Sequence, residues 1–495
     1  MRRVNGTKAV PLCLAMTLTL SACTSGGKDK EGLAKLDRED QGSLKVAYFN
    51  DQAFYTQYGN AFQAMFPNVE VEVVSTESVF DAEDPILAME KLIDEQQPDV
   101  LYLNEDEYAA LAKKGKLYDL DAAIKQDAFD IDAFQPSVIE LLKARGDGKL
   151  YGLSPNFSSY ALYYNKDLFE SNGIPYPTDG MSWDDVMKLA ARFPAKKDGE
   201  DALFGLSLPS AAQDPFALIR TIGEAKGLSY ADSDAGTVSI SSPEWKAIFQ
   251  SVIDAYKTGS ITMPGSGGQS DGPRQGQVMI RKGGGAAIAF GPDSMRFQSG
   301  QSAMMIDGPM VMDMMDMGSK LGGTIRIQGD TKTSSDSGGD AKPGLSPFKS
   351  FEWDVVTIPV DPSQPDVDGS LSLDEVFSIN ASSENLSAAW ELVKYINGEQ
   401  LAKTGMKGPS ALSSRTAYKK DAGGRNIDAF YAHGPNTQLL LQELPAGFAE
   451  SFATLASDQI KKVVAGTETL DNALAAIQTQ GQDLLTKAAV DEGAQ

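Results

Sequence analysis

The clearest chemistry in this sequence lies near its N terminus, in the tetrapeptide Leu20-Ser21-Ala22-Cys23. An apolar run from Ala9 to Leu20 precedes Ser21, and it follows the basic residues Arg2, Arg3 and Lys8, as in an export signal. The run is too short to span a bilayer. Small residues before Cys23 suit a signal peptidase, and the Cys23 thiol can accept a diacylglycerol group. We therefore expect a signal peptide at residues 1–22 and lipidation at Cys23, the alternative being an ordinary secretory signal with an incidental cysteine.

Catalytic chemistry has little support in the residue types. His433 is the only histidine, which leaves almost nothing for histidine-based zinc sites or Ser-His-Asp triads. The glycines after Lys282 lack the spacing of a Walker loop or a dinucleotide fingerprint. Paired carboxylates remain possible, because a glycoside hydrolase needs only two acids and the chain has 68. We expect no enzymatic activity and no cofactor, with a surface polysaccharide hydrolase as an alternative.

Two patterns could bind metal ions. The segment Gln364–Glu375 aligns with an EF-hand loop at Asp366, Asp368, Gly369 and Glu375, but its first position is glutamine. We therefore favour a solvated acidic turn, with Asp366, Asp368 and Glu375 kept as a calcium candidate. Methionines are dense between 304 and 317, and core packing is favoured over thioether ligation of copper. The sequence predicts no resident metal.

Charge and length limit the partners. The 495-residue chain has a net charge of −24, which becomes −27 when a signal peptide with three basic and no acidic residues is removed. Such a surface repels nucleic acid and anionic lipid, so only a lipid anchor would hold it at a membrane. Cys13 would leave with the signal, so the mature chain could form no intramolecular disulfide. Residues 23–43 are rich in charge and read as the lipidated cysteine followed by a flexible tether.

Apolar periodicity after the tether alternates between strand and helix. The predicted order is a strand at Leu44–Phe49, a helix at Ala53–Phe66, alternating valines from Val69 to Val73, a helix at Pro85–Glu95 and a strand at Val100–Leu103. Strands separated by helix-length connections predict a parallel sheet with helices on its faces.

Polar residues directly follow two of these strands. Ligands in such sheets lie beyond the carboxyl ends of the strands. We therefore expect a crevice lined by Asn50, Asp51 and Gln52 after the first strand, and by Asn104, Glu105 and Asp106 after the third. The alternative is that these side chains cap helices and stabilise turns.

Further along, several motifs share one resemblance. They are Tyr163–Phe169 (YYNKDLF), Asn172–Pro175 (NGIP), Ser182–Val186 (SWDDV), Ser302–Met310 (SAMMIDGPM), Trp353–Pro359 (WDVVTIP) and Trp390–Glu399. In this order the chain resembles the extracellular solute-binding proteins of ABC importers, the family (family 1) that includes maltose-binding protein. Ser182 and Asp185 also fit a helix capping box. The resemblance runs from about Leu44 to the C terminus.

The resemblance implies an α/β, periplasmic-binding-protein-like fold. Two discontinuous lobes would be joined by three chain crossings, near 154–158, 302–306 and 373–379, with the ligand cleft between them. The first lobe would comprise 44–156 and 304–375, including a glycine-rich insertion at about 320–350. The second would comprise 157–303 and the C-terminal helices of 376–495. Closure of the lobes around a ligand is expected.

It also implies a receptor function. We expect a lipid-anchored monomer on the extracytoplasmic face of the cell membrane, which captures a sugar or oligosaccharide and delivers it to the transmembrane permease subunits of an ABC importer. Peptides or other polar solutes are the alternative ligands. Sugar sites combine aromatic platforms with carboxylates and amides. The candidate ligand-binding residues are Asp51, Tyr55, Asn104, Glu105, Asp106, Phe157, Gln213, Phe216, Asp307, Met310, Trp353, Phe377 and Tyr431.

Overall fold

A computed structural model describes residues 33–82, 84–193, 203–208, 214–264, 278–281, 287–290, 296–320, 349–404, 412–419, 422–437, 444–445 and 447–493. The predicted signal peptide, Cys23, the start of the tether, Gln213 and most of both glycine-rich segments lie outside the described residues.

The strands are numbered in chain order. They are β1 (Gly42–Tyr48), β2 (Val69–Ser75), β3 (Val100–Leu103), β4 (Gly152–Leu153), β5 (Asn156–Phe157), β6 (Ala161–Asn165), β7 (Phe204–Ser207), β8 (Ala231–Asp232), β9 (Thr237–Val238), β10 (Val278–Arg281), β11 (Ala287–Phe290), β12 (Ser302–Asp307), β13 (Trp353–Thr357), β14 (Val367–Asp368), β15 (Val376–Ile379), β16 (Leu412–Ser413) and β17 (Gly434–Pro435).

The α-helices follow the same convention. They are α1 (Asp51–Phe54), α2 (Asn60–Met65), α3 (Glu77–Phe80), α4 (Pro85–Gln96), α5 (Glu105–Lys113), α6 (Asp121–Gln126), α7 (Pro136–Arg145), α8 (Lys166–Ser171), α9 (Trp183–Ala190), α10 (Ala217–Ala225), α11 (Pro243–Thr258), α12 (Met310–Lys320), α13 (Leu386–Ile396), α14 (Glu399–Thr404), α15 (Phe448–Val464) and α16 (Leu470–Gly493). A π-helical turn at Tyr55–Gly59 joins α1 to α2, and 3₁₀ turns occur at Thr416–Tyr418 and Ile427–Tyr431.

The first lobe is built on a five-stranded sheet of order β2-β1-β3-β15-β4. β1 pairs in parallel with β2 and β3, and β15 is antiparallel to β3. Successive residues of β3 face opposite layers, because Val100 packs with α2 and α13 while Leu101 packs with α4, α5 and α7. Helices therefore cover both faces of this sheet. The predicted β-α-β-α-β start of the chain is confirmed.

The second lobe is built on a four-stranded sheet of order β13-β6-β12-β7. Leu162, Met304 and Val356 face the larger core, which α8, α9, α10, α11, α15 and α16 complete. Tyr163, Met305 and Val355 face the opposite layer, which contains α12 and the turn at Ile427–Tyr431. Both faces are again buried. The dense methionines belong to these cores, since Met304, Met305, Met312, Met314 and Met315 are all buried.

Helix starts follow from local side-chain chemistry. Asn104 and Glu107 form a reciprocal capping box on α5, with both backbone N–H to side-chain oxygen distances at 2.9 Å. Asn50 caps α1 by accepting from the Ala53 N–H at 3.0 Å. Ser182 caps α9 by accepting from the Asp185 N–H at 3.1 Å, as its motif predicts. Such caps satisfy backbone donors that the first helical turn leaves unpaired.

In the described part of the chain, three stretches connect the lobes. Residues 154–160 lead from β4 to β6, residues 358–375 lead from β13 back to β15, and the third stretch lies between α14 and α15. The first two stretches pair with each other at Ser158 and Ser372, whose backbone groups exchange hydrogen bonds of 2.9 and 3.0 Å. The third pairs with both through β16–β5 and β17–β14. The three stretches therefore form one hydrogen-bonded hinge.

The lobe membership of the middle and late strands differs from the prediction. β12 and β13 were expected in the first lobe (304–375), yet they flank β6 in the second sheet. β15 and α13 were expected in the second lobe (376–495), yet β15 pairs with β3 and α13 packs on β1 in the first. The crossing predicted near 302–306 is therefore wrong, because this segment is a buried central strand. A local apolar pattern shows that a strand is buried but not which sheet contains it.

Candidate functional site

The carboxyl ends of the parallel strands in both sheets meet at the hinge. In the first lobe β1 and β3 end at Tyr48 and Leu103, and in the second lobe β12 ends at Asp307 beside the start of β6. Asn50 lies just beyond β1, Asn104 directly follows β3 and Asp307 ends β12, and the first two hinge stretches connect the two sheets at this edge. We take the region between these strand ends as the candidate site and call it the groove, with the two hinge stretches as its floor.

The floor of the groove combines side chains of both hinge stretches. The Ser158 hydroxyl donates to the Asp374 carboxylate at 2.8 Å, and the backbone N–H of Tyr160 donates to the Ser370 hydroxyl at 3.2 Å. Asp374 is exposed, whereas Ser158 and Tyr160 are half-buried. A carboxylate that is hydrogen-bonded on one oxygen keeps further acceptor positions for a ligand hydroxyl.

Glu375 lies beneath this floor. Its side chain accepts from the Asn156 amide at 3.3 Å, and its backbone carbonyl accepts from the Ser154 hydroxyl at 2.6 Å. Burial raises the pKa of Glu375 and nearby Asp374 adds to the rise, while the bond from Asn156 opposes it. Burial also raises the pKa values of Tyr58 and Tyr102, and the negative charge of Glu375 adds to both rises. Glu375 therefore links the hinge to the first-lobe sheet.

Tyr160 connects the floor to the second lobe. Burial raises its pKa to about 12, and the carboxylates of Asp307 and Asp374 contribute to the rise. The turn after Asp307 is fixed, because the Gly308 N–H donates to the Asp307 carboxylate at 2.8 Å and the Tyr163 hydroxyl donates to the Gly308 carbonyl at 2.7 Å. Two acids thus approach the phenol, which favours a neutral hydroxyl there at all physiological pH values.

An exposed aromatic pair forms the first-lobe rim. Phe49, directly after β1, is 43% exposed, and Phe80 at the end of α3 is 52% exposed. Their ring centroids are 5.7 Å apart with planes at 63°. Beside them the Asn50 amide donates to the Glu77 carboxylate at 2.9 Å. This rim therefore offers apolar ring surface next to an amide and a carboxylate.

Sequence reasoning missed Phe49, Phe80, Ser158, Tyr160 and Asp374. Phe49 and Asp374 carry a usable signal, since Phe49 directly follows β1 and Asp374 lies two residues before β15. Phe80 carries none, because a phenylalanine on a short helix is ordinarily part of a core.

Several predicted site residues make structural contacts. Glu105 binds Arg145 at 2.7 Å and accepts from the Leu373 N–H at 3.2 Å, which joins α5, α7 and the hinge. Burial raises the pKa of Glu105 although Arg145 opposes the rise. Asn104 is the cap described above, and exposed Asp106 lies 3.6 Å from Arg145. The cap interpretation of these strand-end residues is therefore confirmed for Asn50 and Asn104.

Most of the predicted aromatic residues lie in the cores. Phe216 is 1% exposed and packs against Tyr230, Phe249 and Phe452. Buried Phe377 lies in the first-lobe core.

Phe157 and Tyr431 contact each other edge to face in the hinge, with ring centroids 5.2 Å apart. Trp353 is buried, and the Arg425 guanidinium lies 3.9 Å from the centre of its ring. The Tyr55 hydroxyl donates to the Val71 carbonyl at 2.7 Å. Apart from half-buried Tyr55, these predicted aromatic side chains are buried.

Asp51, Asp307 and Met310 lie at or just beyond the carboxyl ends of β1 and β12. Asp51 is exposed on the first turn of α1, and half-buried Met310 begins α12 directly after the turn at Gly308. In the calcium candidate segment, the backbone of Val367 and Asp368 forms β14, which pairs in parallel with β17. Across the described ranges, no three His, Cys, Asp or Glu side chains are grouped as cation ligands would be.

Comparison with known proteins places the chain in a family. Residues 57–429 match the family model of bacterial extracellular solute-binding proteins. A binding protein of Brucella abortus (strain 2308) is 31% identical over 141 residues, which are 28% of this chain and 33% of that protein. The same holds for a binding protein of Brucella suis biovar 1. The match thus spans about a third of the length of these curated relatives.

Solved structures share the fold. The sugar-binding protein MalE from Xanthomonas citri has a TM-score of 0.59 at 16% identity, covering 92% of this chain and 100% of that one. A sugar transporter protein from Rhizobium etli in an open conformation has a TM-score of 0.57 at 17% identity, covering 89% and 99%. The cyclic alpha-maltosyl-1,6-maltose binding protein from Arthrobacter globiformis has a TM-score of 0.56 at 14% identity, covering 90% and 100%.

These findings confirm the predicted periplasmic-binding-protein-like α/β fold. No helix in the described part of the chain has the length and hydropathy of a membrane span. The match covers most of the chain, including β2, β3, β6 and both hinge stretches that floor the groove. The chain belongs to the bacterial extracellular solute-binding proteins, whose place of work is outside the cytoplasm.

Proposed function

We propose that this protein captures a sugar or oligosaccharide in the groove between its lobes and delivers it to the permease subunits of an ABC importer. The observation that carries the proposal is the exposed Phe49–Phe80 pair beside Asn50 and Glu77. Pyranose rings have apolar faces that stack on aromatic rings and hydroxyls that bond to amides and carboxylates. The groove supplies both kinds of surface.

Acidic side chains on the floor support the same ligand class. Asp374, with one oxygen bonded to Ser158, and Asp307, beside Tyr160, can each accept from sugar hydroxyls. The relatives from Xanthomonas citri and Arthrobacter globiformis are named as sugar-binding and maltosyl-maltose-binding proteins, which favours a carbohydrate here. A strongly acidic chain of net charge −24 disfavours anionic solutes.

The proposal includes how the protein reaches its permease. The signal features and Cys23 support a lipid anchor on the extracytoplasmic face of the membrane, and we propose that the anchored protein is a monomer. A single acyl chain holds a protein to a membrane only marginally, whereas several chains hold it durably. The anchor would keep the loaded receptor near the permease.

Thermal unfolding in the presence of candidate solutes tests the ligand class. A ligand that binds only the folded protein raises its melting temperature in proportion to the logarithm of ligand over dissociation constant. We expect concentration-dependent shifts with one group of mono- or oligosaccharides. Shifts with peptides alone would favour the peptide-receptor alternative. Accumulation of shortened saccharides in the same wells would favour the hydrolase alternative instead.

A further inference from the structure

A cavity of about 80 Å³ lies in the second lobe beside the groove floor. It shares Tyr160 with the floor, and Ser370 of the second hinge stretch also lines it. Its other walls come from the ends of β7, β12 and β13 and from α9 and α10. Most of this lining is apolar, including Leu208, Leu218, Ile306, Ile358 and Ala225. The cavity therefore adjoins the proposed sugar site but has a different chemistry.

Tyr160, Thr221 and Ser370 add hydroxyl groups to the apolar lining, and Trp183 and Glu224 add an indole N–H and a carboxylate. Trp183 is 3% exposed, and its buried indole N–H has no acceptor among the described residues. Glu224 has Arg220 as its charged neighbour at 3.8 Å, and burial raises the Glu224 pKa although Arg220 opposes the rise. A carboxylate in this setting can accept an additional hydrogen bond. An unpaired buried donor costs free energy, which a ligand acceptor would recover.

The size of the cavity limits its occupant. Its volume is several times the ~10–15 Å³ that one water needs and about half the ~150 Å³ of a cavity that holds benzene. A further sugar ring is therefore too large, while a substituent of a few heavy atoms fits.

We infer that this cavity is a side pocket of the solute site that takes an acylamino group, such as the acetamido group of an N-acetylated sugar. The methyl group would pack against the aliphatic lining, the N–H would donate to Glu224, and the carbonyl would accept from the Trp183 N–H. An ammonium group suits the pocket less well, because the walls are apolar and Arg220 adjoins the carboxylate. This inference rests on the proposed function, since it specifies which sugars that site prefers.

Calorimetric titration with sugars in matched sets tests the preference. Each set comprises a parent sugar, its 2-amino form and its 2-acetamido form, as mono- and disaccharides of gluco and galacto configuration. We expect the best acetamido sugar to bind about tenfold or more tightly than its parent and its amine, since it adds a buried methyl group and a bond to a carboxylate. Parent or amino sugars that bind equally well or better would overturn the inference and leave the proposed function standing. Absence of binding by every sugar would contradict both.

Variants locate the preference in the cavity. Ala225→Leu fills the cavity from α10. The ratio of acetamido-sugar to parent-sugar affinity should therefore fall to about one, while the affinity for the parent sugar stays unchanged. Ala191→Leu, an exposed site at the end of α9 in the same lobe, is the matched control and should change neither. A preference that survives Ala225→Leu would overturn the assignment.

A second variant keeps the test valid if Ala225→Leu does not fold. Glu224→Gln preserves the shape of the side chain but replaces a charge-assisted hydrogen bond by a neutral one. The ratio of acetamido-sugar to parent-sugar affinity should therefore fall about fivefold. Glu244→Gln removes the same charge from an exposed site on α11 and should leave the preference intact. Equal preferences in the two glutamine variants would argue against a role for Glu224.

Discussion

Phe80 is among the most exposed large apolar side chains of the described chain, and its ring contacts that of Phe49 edge to face. A ring held at the rim of a groove loses little entropy when a ligand stacks on it, because an aromatic side chain has only two rotatable bonds. Its exposure costs little in the free protein and becomes favourable when a sugar face covers it. Exposure beside Asn50 and Glu77 is therefore consistent with binding rather than folding.

Replacing Phe80 by alanine should weaken sugar binding about tenfold, because loss of a stacking ring costs about 1–1.5 kcal/mol. The free energy of unfolding should change by about 0.5 kcal/mol or less, since the side chain is exposed. Titration calorimetry and urea denaturation measure the two quantities. Tyr176→Ala removes an exposed ring from the second lobe, away from the groove, and should leave affinity unchanged. Equal affinity losses in both variants would contradict the role of Phe80.

Glu375 predicts a pH dependence of stability. Because burial raises its pKa, the folded protein keeps the Glu375 proton to higher pH than the unfolded chain does. The folded state therefore binds more protons from the ordinary glutamate value of 4.5 upward, and the free energy of unfolding falls as pH rises through that window. Glu375→Gln stays neutral, so its stability relative to the original protein should increase between pH 4 and pH 7 in urea denaturation.

Glu244→Gln is the control for this measurement. Hydrogen bonds from its own backbone N–H and from Ser242 lower the pKa of exposed Glu244, which gives any pH dependence the opposite sign. A relative stability of Glu375→Gln that stays flat or declines from pH 4 to pH 7 would contradict the assignment of a raised pKa to Glu375.

At the scale of elements, local signals were predictable and pairing partners were not. The strands at Leu44–Phe49 and Val100–Leu103 and the caps at Asn50, Asn104 and Ser182 follow from periodicity and capping chemistry. The predicted assignment of β12 and β15 to lobes was wrong, because hydrogen-bond partners lie far away in sequence. The burial of Phe216 and Phe377 was not predictable for the same reason, since it depends on distant elements.

Close packing of α10 on α11 makes Gly223 a sensitive position. A Cβ atom there would lie 2.0 Å from the buried Trp245 ring. Alanine favours a helix over glycine by about 1 kcal/mol, but overpacking a core costs about 1–3 kcal/mol, so Gly223→Ala should destabilise the protein. Urea denaturation measures the change. Gly369→Ala adds a methyl group with no atom within 4 Å and should be nearly neutral. Stabilisation by Gly223→Ala would contradict this packing.

At the scale of the whole molecule, a groove with a hydrogen-bonded hinge fits capture by lobe closure, and the proposed anchor keeps the receptor near its permease. Cys23→Ala should release the protein into the soluble fraction while sugar affinity stays unchanged, because the anchor and the groove are separate. Cell fractionation followed by titration measures both. Cys13→Ala is the matched control, since that residue would leave with the signal peptide. Membrane retention of Cys23→Ala would contradict lipidation at this residue.

Capture of a sugar by the groove is the central claim, and calorimetric titration of the purified protein with the sugar that gives the largest thermal shift tests it most directly. We predict saturable binding of one sugar per chain, weakened about tenfold or more by Asp374→Asn at the groove floor, because hydrogen bonds to a charged group are worth about 1.5–3 kcal/mol. Asp458→Asn, on the exposed face of α15, should leave the affinity unchanged. Absence of saturable heat with every sugar, or equal affinity in both variants, would contradict the account.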